Sequence, residues 1–313
     1  MTTIDPRLSR AFAEANGFAL APQLIVLALM GSHSHGTYVP PTEPDAVDVM
    51  GFVVPPVEHH LGLPRWSHWV FQFEELDVVI YSLEKAFRLL LKSNPNIVGL
   101  LWLREDEYVY RHPLFDRLRT DRAVFSSQEA ADAFSGYAFD QLKRMEAFDT
   151  ERMAEYETLT AEMRARGPIV TALNAAATDL ERIAQDWGIS PDVLVRFRKL
   201  HREHFSGYMG EKRKAMVRKY KYDVKNAAHL IRLLRMGSEF LRTGTLTVYR
   251  TADAAELKSI KQGAWTLEQV KAEAERLFEG IDLARAASPL PAAPDHEAAN
   301  RLLIEMHRTM LGL

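Results

Sequence analysis

Two apolar runs near the N-terminus organise the chain. Leu24 to Met30 is short and partly β-branched, and it closes on Gly31-Ser32. Val47 to Val54 is the second, with Asp48 near its start. Runs of this length, bounded by turn formers, read as buried strands rather than helices. Between them Thr37 to Pro44 carries three prolines and reads as a loop, a rim or mobile lid. Ahead of them residues 6–16 predict an amphipathic helix, with Asp5 as N-cap, Pro6 in the first position and Gly17 as stop. His68 to Phe73 alternates as a third strand; Glu74-Glu75-Leu76-Asp77 interrupts it, and Val78 to Tyr81 continues the extended stretch.

Helical spacing takes over afterwards. Ser82 can cap a helix to Lys92, with Leu83, Phe87, Leu90 and Leu91 on one side. Residues 97–103 form another short buried element. Beyond about residue 110 the pattern is almost wholly helical, with helices expected at 127–146, 151–165, 168–187, 191–206, 208–220, 223–242, 253–261, 266–286 and 295–311. Long helices and strands do not alternate. The expected fold class is therefore α+β, a small mixed sheet joined to a large helical region. The expected division is 1–108 for the sheet-bearing core and 109–313 for the helical part, with a helical insertion around 149–206.

Composition narrows the function classes. A net charge of −3 does not favour a polyanion globally, so any such site must be a local patch. The absence of cysteine removes disulfides and thiolate catalysis. No apolar run approaches membrane-spanning length and the first residues lack a signal-peptide layout, so a cytoplasmic location without membrane contact is the default expectation.

The chemistry concentrates at the first strand turn. Gly31 allows close backbone approach, and Ser32 can open a helical turn whose free N–H groups face an anion. Asp48 follows sixteen residues later on the next strand. A phosphate cradle beside a carboxylate-bearing strand is the minimal equipment for metal-assisted nucleotidyl transfer. His33 and His35 lie close by, and His59, His60 and His68 follow; a zinc site is conceivable, but hydrogen bonding to phosphate is the commoner role. Farther on, Lys214, Arg218, Lys221, Lys225 and Arg232 fall on one helical face if the helix is continuous, although Asp223 suggests a fresh N-cap that divides the stripe. Residues 182–200 have helix-turn-helix spacing, with Arg196, Arg198 and Lys199 on the second helix. Two ordinary helices joined by a Gly stop and a Ser-Pro start produce the same letters.

Four stretches together resemble the DNA polymerase β-like nucleotidyltransferases, and within them the RNA-repair-pathway or "predicted nucleotidyltransferase" group. They are GSHSHGTY (31–38), 77–103, 222–246 and SPLP (288–291), and only the first is shared across the superfamily. The resemblance implies transfer of a nucleoside monophosphate from a nucleoside triphosphate to an acceptor hydroxyl, an RNA end, with Mg²⁺ or Mn²⁺ as cofactor. It implies metal ligands at Asp48 and Asp77, with Glu75 as runner-up to the latter, and triphosphate contacts from Gly31 and Ser32. Lys225, His229 and Arg232 match a YDxKxxxHxxR pattern and are expected to face the ligand, with Lys221 beside them. The resemblance also implies a carboxylate at position 46, which is Ala46. Three accounts stay open: a bulge turns Asp45 inward as the third ligand, the site lacks a ligand, or Ala46 is an engineered Asp→Ala replacement that silences the enzyme. Modification of a protein or small molecule, and a catalytically dead nucleotide- or nucleic-acid-binding module, are the competing functions.

Overall fold

The computed structural model describes residues 4–40, 46–73, 75–146, 150–205 and 211–313. Helix α1 (Pro6–Asn16) starts where Asp5 accepts from the Arg7 amide and stops at left-handed Gly17, as its spacing predicts. Its buried Leu8 and Phe12 lie four residues apart, one above the other on the helix. They pack on one face of a five-stranded sheet, together with Leu24, Leu27, Val49, Val53, Val78 and Ile80. Phe12 meets Phe18, Trp66 and Trp69 edge-on at 5.2–5.9 Å, and burying a ring of this size contributes about 1.5–3 kcal/mol.

The strands are β1 (Leu24–Leu29), β2 (Val47–Val53), β3 (His68–Phe73), β4 (Leu76–Ser82) and β5 (Tyr108–Arg111). Their order is β3-β4-β2-β1-β5; β2 and β4 run parallel, and every other neighbouring pair is antiparallel. The interrupted extended stretch is thus a hairpin. Phe73 pairs with Leu76, so the chain reverses between them, and Asp77 lies within a strand rather than ahead of one. Single turns interrupt the loops as α2 (Gly31–Ser34) and α3 (Glu58–Leu61).

On the sheet's other face lies the main core, shared by Val26, Ala28 and Phe52 and by the helices α4 (Leu83–Leu91), α5 (Pro95–Val98), α6 (Pro113–Thr120) and α7 (Ala130–Glu146). Ser82 caps α4 as expected. Helices α8 (Thr150–Arg166), α9 (Ile169–Asn174), α10 (Leu180–Trp187) and α11 (Pro191–Phe205) carry a separate small core of Tyr156, Met163, Leu194 and Phe197. The single helix expected at 168–187 is two, α9 and α10, with a 3₁₀ turn between them. The chain then runs through α12 (Glu211–Tyr220), α13 (Val224–Thr243), α14 (Ala254–Lys261), α15 (Leu267–Ala286) and α16 (His296–Leu311). Helix α13 is the centre of this part. It is buried on most of its circumference, and α7, α14 and α15 pack around it. Among the described residues no helix is long and apolar enough to cross a membrane.

Close packing of α13 on α7 depends on Gly237, where an added Cβ would sit 2.8 Å from the Phe134 Cβ. Gly136, on α7, has open space. Gly237→Val is therefore expected to lower unfolding free energy by about 1–3 kcal/mol. Gly136→Ala should raise it by about 0.5–1 kcal/mol. Urea midpoints of the two variants check the pair.

Candidate active site

Strand β1 is wholly apolar because both its faces are covered. At its end the Met30 amide still donates to the Asp48 carbonyl at 2.8 Å, which extends the pairing by one residue. Gly31 then turns the chain at φ +66°. A side chain cannot replace its hydrogen, since a Cβ there would lie 1.8 Å from Asp48 Oδ2. This glycine is thus what lets the Asp48 carboxylate lie against the backbone. The turn that follows is tied by Ser34 Oγ donating to the Gly31 carbonyl and by the Thr37 amide donating to Ser32 O. The first amides of such a turn have no partner within it. Gly36, also left-handed, abuts the Tyr249 ring, and the Arg104 guanidinium stacks on that ring at 3.8 Å.

The parallel register of β2 and β4 sets Asp48 directly opposite Asp77. Neighbouring strands lie about 4.8 Å apart and paired residues point to the same face, so the two carboxylates are adjacent. Alternation places them with Met50 and Phe52 on the side of the helical body, while Val47 and Val49 face α1. Asp48 is exposed and Asp77 half-buried. Glu75 does not share this position: it lies in the hairpin turn and pairs with Arg7 of α1. Asp45, residues 41–44 and the side chain of Lys214 lie outside the described residues.

The donor set fits a hard divalent ion. Mg²⁺ is commonly held by one or two carboxylates together with substrate phosphates, and Asp48 and Asp77 supply that pair beside a backbone cradle. Among the described residues no three His or carboxylate side chains converge as a metal site, so a third protein ligand has no described source.

Opposite the cradle runs α13. Asp223 caps it by accepting from the Lys225 and Asn226 amides, and Arg213 holds that carboxylate at 2.7 Å. The basic stripe is therefore split between α12 and α13. His229 and Arg232 point inward, and an Arg232 Nη1 lies 3.4 Å from His35 Nδ1. His35 also faces the Val248 carbonyl at 3.1 Å, and Lys261 of α14 reaches Thr37 at 2.9 Å. Arg232 lies deep within the protein yet keeps partial solvent access. Burial first, then the Arg250 charge, pull its pKa down to about 9. Burial and the Arg232 charge push both His35 and His229 well below the ordinary histidine value. The Nε2 of His229 is buried and makes no hydrogen bond among the described residues.

A family model described as the RNA repair pathway DNA polymerase beta family (RlaP) matches residues 3–159. The chain belongs to that family. The match contains Gly31, Ser32, Asp48 and Asp77 but ends before α12 and α13, so His229 and Arg232 stand on geometry. A nucleotidyltransferase-like protein from Exiguobacterium sibiricum 255-15 is similar at 10% identity, over 97% of this chain and 79% of that chain, with a TM-score of 0.25, too low to carry an argument. No curated protein matches.

In this RlaP-family chain, then, Gly31, Ser32, Asp48 and Asp77 come together, and His229 and Arg232 gather at His35, the residue that ends the Gly31 turn. Lys225 and Lys221 are exposed, the latter at φ +70° in the joint between α12 and α13. Tyr222 is packing, buried with its hydroxyl on the Trp265 carbonyl. Lys261 and Arg250 were not legible. Arg250 donates its amide to the His35 carbonyl and binds Glu239 and Asp253, while Arg235 takes Asp253, Glu256 and Glu273. Glu239, Asp253, Glu256 and Glu273 are thereby engaged by these two arginines, and among the described residues Arg232 has no ion pair. The helix-turn-helix reading loses Arg196, which grips Glu155 of α8 with two hydrogen bonds of 2.6–2.7 Å.

The two depressed histidines predict a pH dependence. Both are neutral when folded, whereas in the unfolded chain they protonate below about pH 6.5. Stability present above that pH is lost as pH falls, at up to ~1.4 kcal/mol per unit for each ring. Urea unfolding across this range should show the acid limb, and a His35→Gln, His229→Gln double variant should flatten it.

Proposed function

We propose that this protein transfers a nucleoside monophosphate from a nucleoside triphosphate to an acceptor hydroxyl, with an RNA end as the acceptor. The observation that carries the reading is the β2–β4 register, which pairs Asp48 with Asp77 immediately beside Gly31. A divalent ion such as Mg²⁺, held by Asp48 and Asp77, would draw charge from the phosphate oxygens and sharpen the attacking hydroxyl. The chain's own groups do the rest. The bond from the acceptor oxygen to the α-phosphorus forms, the bond to the leaving pyrophosphate breaks, and the hydroxyl proton passes to solvent. The Gly31-Ser32 turn offers amides and a hydroxyl to the triphosphate tail. Arg232 supplies a planar donor that stays charged at neutral pH and is fixed before the reaction. His229, neutral and with Nε2 unengaged among the described residues, can donate one hydrogen bond to a phosphate oxygen.

Ala46 favours a second reading, a module that binds nucleotide without transferring it. Incubation with α-labelled ribonucleoside triphosphates, Mg²⁺ and single-stranded RNA separates the two. The proposal expects label on RNA. Asp48→Asn and Asp77→Asn are each expected to reduce it by on the order of 1,000-fold, equivalent to several kcal/mol. Ala46→Asp is expected to raise it. No transfer by either the unaltered protein or the Ala46→Asp variant, with triphosphate still bound, favours the binding module. Label on protein or on a small molecule instead overturns the acceptor assignment.

A further inference from the structure

The sheet face that carries the carboxylates is covered unequally. On the β1 side lie the Gly31 turn, His35 and α13. On the other side the face continues onto β4, where Val79 and Tyr81 are half-buried and Tyr81 packs against the main core, and onto the edge strand β3, which is open. His68, Val70 and Gln72 alternate onto this face and all three are exposed, with Val70 at 54%. The intervening Trp69 and Phe71 pack into the α1 side. Across the hairpin, Gln72 pairs with Asp77, Val70 with Val79 and His68 with Tyr81. These pairs form a shelf that begins at the carboxylates and runs outward. Its far end is aromatic and cationic. The His68 and Tyr81 rings lie nearly parallel at 16° with centroids 6.1 Å apart, and the Lys85 ammonium sits 5.2 Å from the Tyr81 centroid.

In-line displacement puts the attacking and leaving oxygens on opposite sides of the phosphorus. If the triphosphate tail lies toward Gly31 and Arg232, the acceptor arrives from the β4–β3 side. We propose that this shelf, Gln72, Val70, His68, Tyr81 and Lys85, binds the acceptor strand as a single-stranded nucleic acid. The inference rests on the nucleotidyl-transfer reading for its direction. Asp77 to Tyr81 spans four strand residues, about 13 Å, which matches about four stacked nucleotides. Ring faces together with a nearby cation are what sequence-tolerant single-strand binders present. A small-molecule acceptor would end at the carboxylates and leave the His68–Tyr81 end unused.

The test uses the whole protein with Mg²⁺. Fluorescence anisotropy follows a labelled single-stranded oligoribonucleotide of about ten nucleotides, and calorimetry follows each of the four ribonucleoside triphosphates. His68→Ala, Val70→Asp and Lys85→Glu should each weaken the oligonucleotide by about 10-fold, with triphosphate affinity unchanged. Lys85→Glu should also reduce the salt dependence of oligonucleotide binding by about one phosphate contact. Oligonucleotide affinity within about twofold of the unaltered protein in all three variants overturns the shelf, as does absence of oligonucleotide binding by the unaltered protein. Absence of triphosphate binding sinks the transfer reading instead, so the two failures are distinguishable.

Discussion

One register governs this molecule. β2 and β4 are parallel, and the residue opposite Asp48 is Asp77. A slip of one residue would turn Asp77 into the α1 core and bring Val78 or Leu76 to the cleft, burying a carboxylate and exposing an apolar side chain. The register is pinned from both faces: Val49, Val53, Val78 and Ile80 pack under α1, and Phe52 packs into the helical body. A parallel pair needs a crossover, and here β3 fills part of it before pairing back on β4. The hairpin that places Asp77 therefore also creates the open shelf beside it.

Across the cleft the electrostatics are built in two layers. The outer layer is compensated: Arg235 and Arg250 between them engage Glu239, Asp253, Glu256 and Glu273. The inner layer is not. Arg232 lies deep with no ion pair among the described residues, feeling Asp253 only at a distance, and two histidines beside it are held neutral. Leaving a buried cation unpaired is costly. A cleft floor that bears this cost is suited to a ligand bringing negative charge, and the Gly31 turn opposite is suited to the same kind of ligand. Both features suit the same kind of ligand, and the family match covers the Gly31 turn but not α13.

Much of this was legible in the letters because it is local. Asp5, Ser82 and Asp223 announce their helices through side chains that reach amides two or three residues on. Gly31-Ser32 after an apolar run, and Asp48 on the next, mark the heart of the candidate site. The parts that stayed hidden are tertiary or too short. β5 has four residues, none fully buried, and no clear alternation. The β3–β4 hairpin reads as one interrupted strand because its turn is acidic rather than glycine-rich. Lys261 and Arg250 reach the cleft from elements that carry no motif, and only the packing of α13 and α14 brings them to His35. The helix-turn-helix spacing was present, but Arg196 is spent on Glu155, a contact no local pattern announces.

The central claim is that Asp48 and Asp77 together hold a divalent ion against a bound triphosphate. Titration with Mn²⁺, followed by its paramagnetic resonance signal in the presence of a non-hydrolysable nucleoside triphosphate, tests it most directly. The account predicts that Asp48→Asn and Asp77→Asn each lose the protein-bound signal while the folded structure, by circular dichroism, is retained. Equal Mn²⁺ binding in the unaltered protein and in both variants would contradict it.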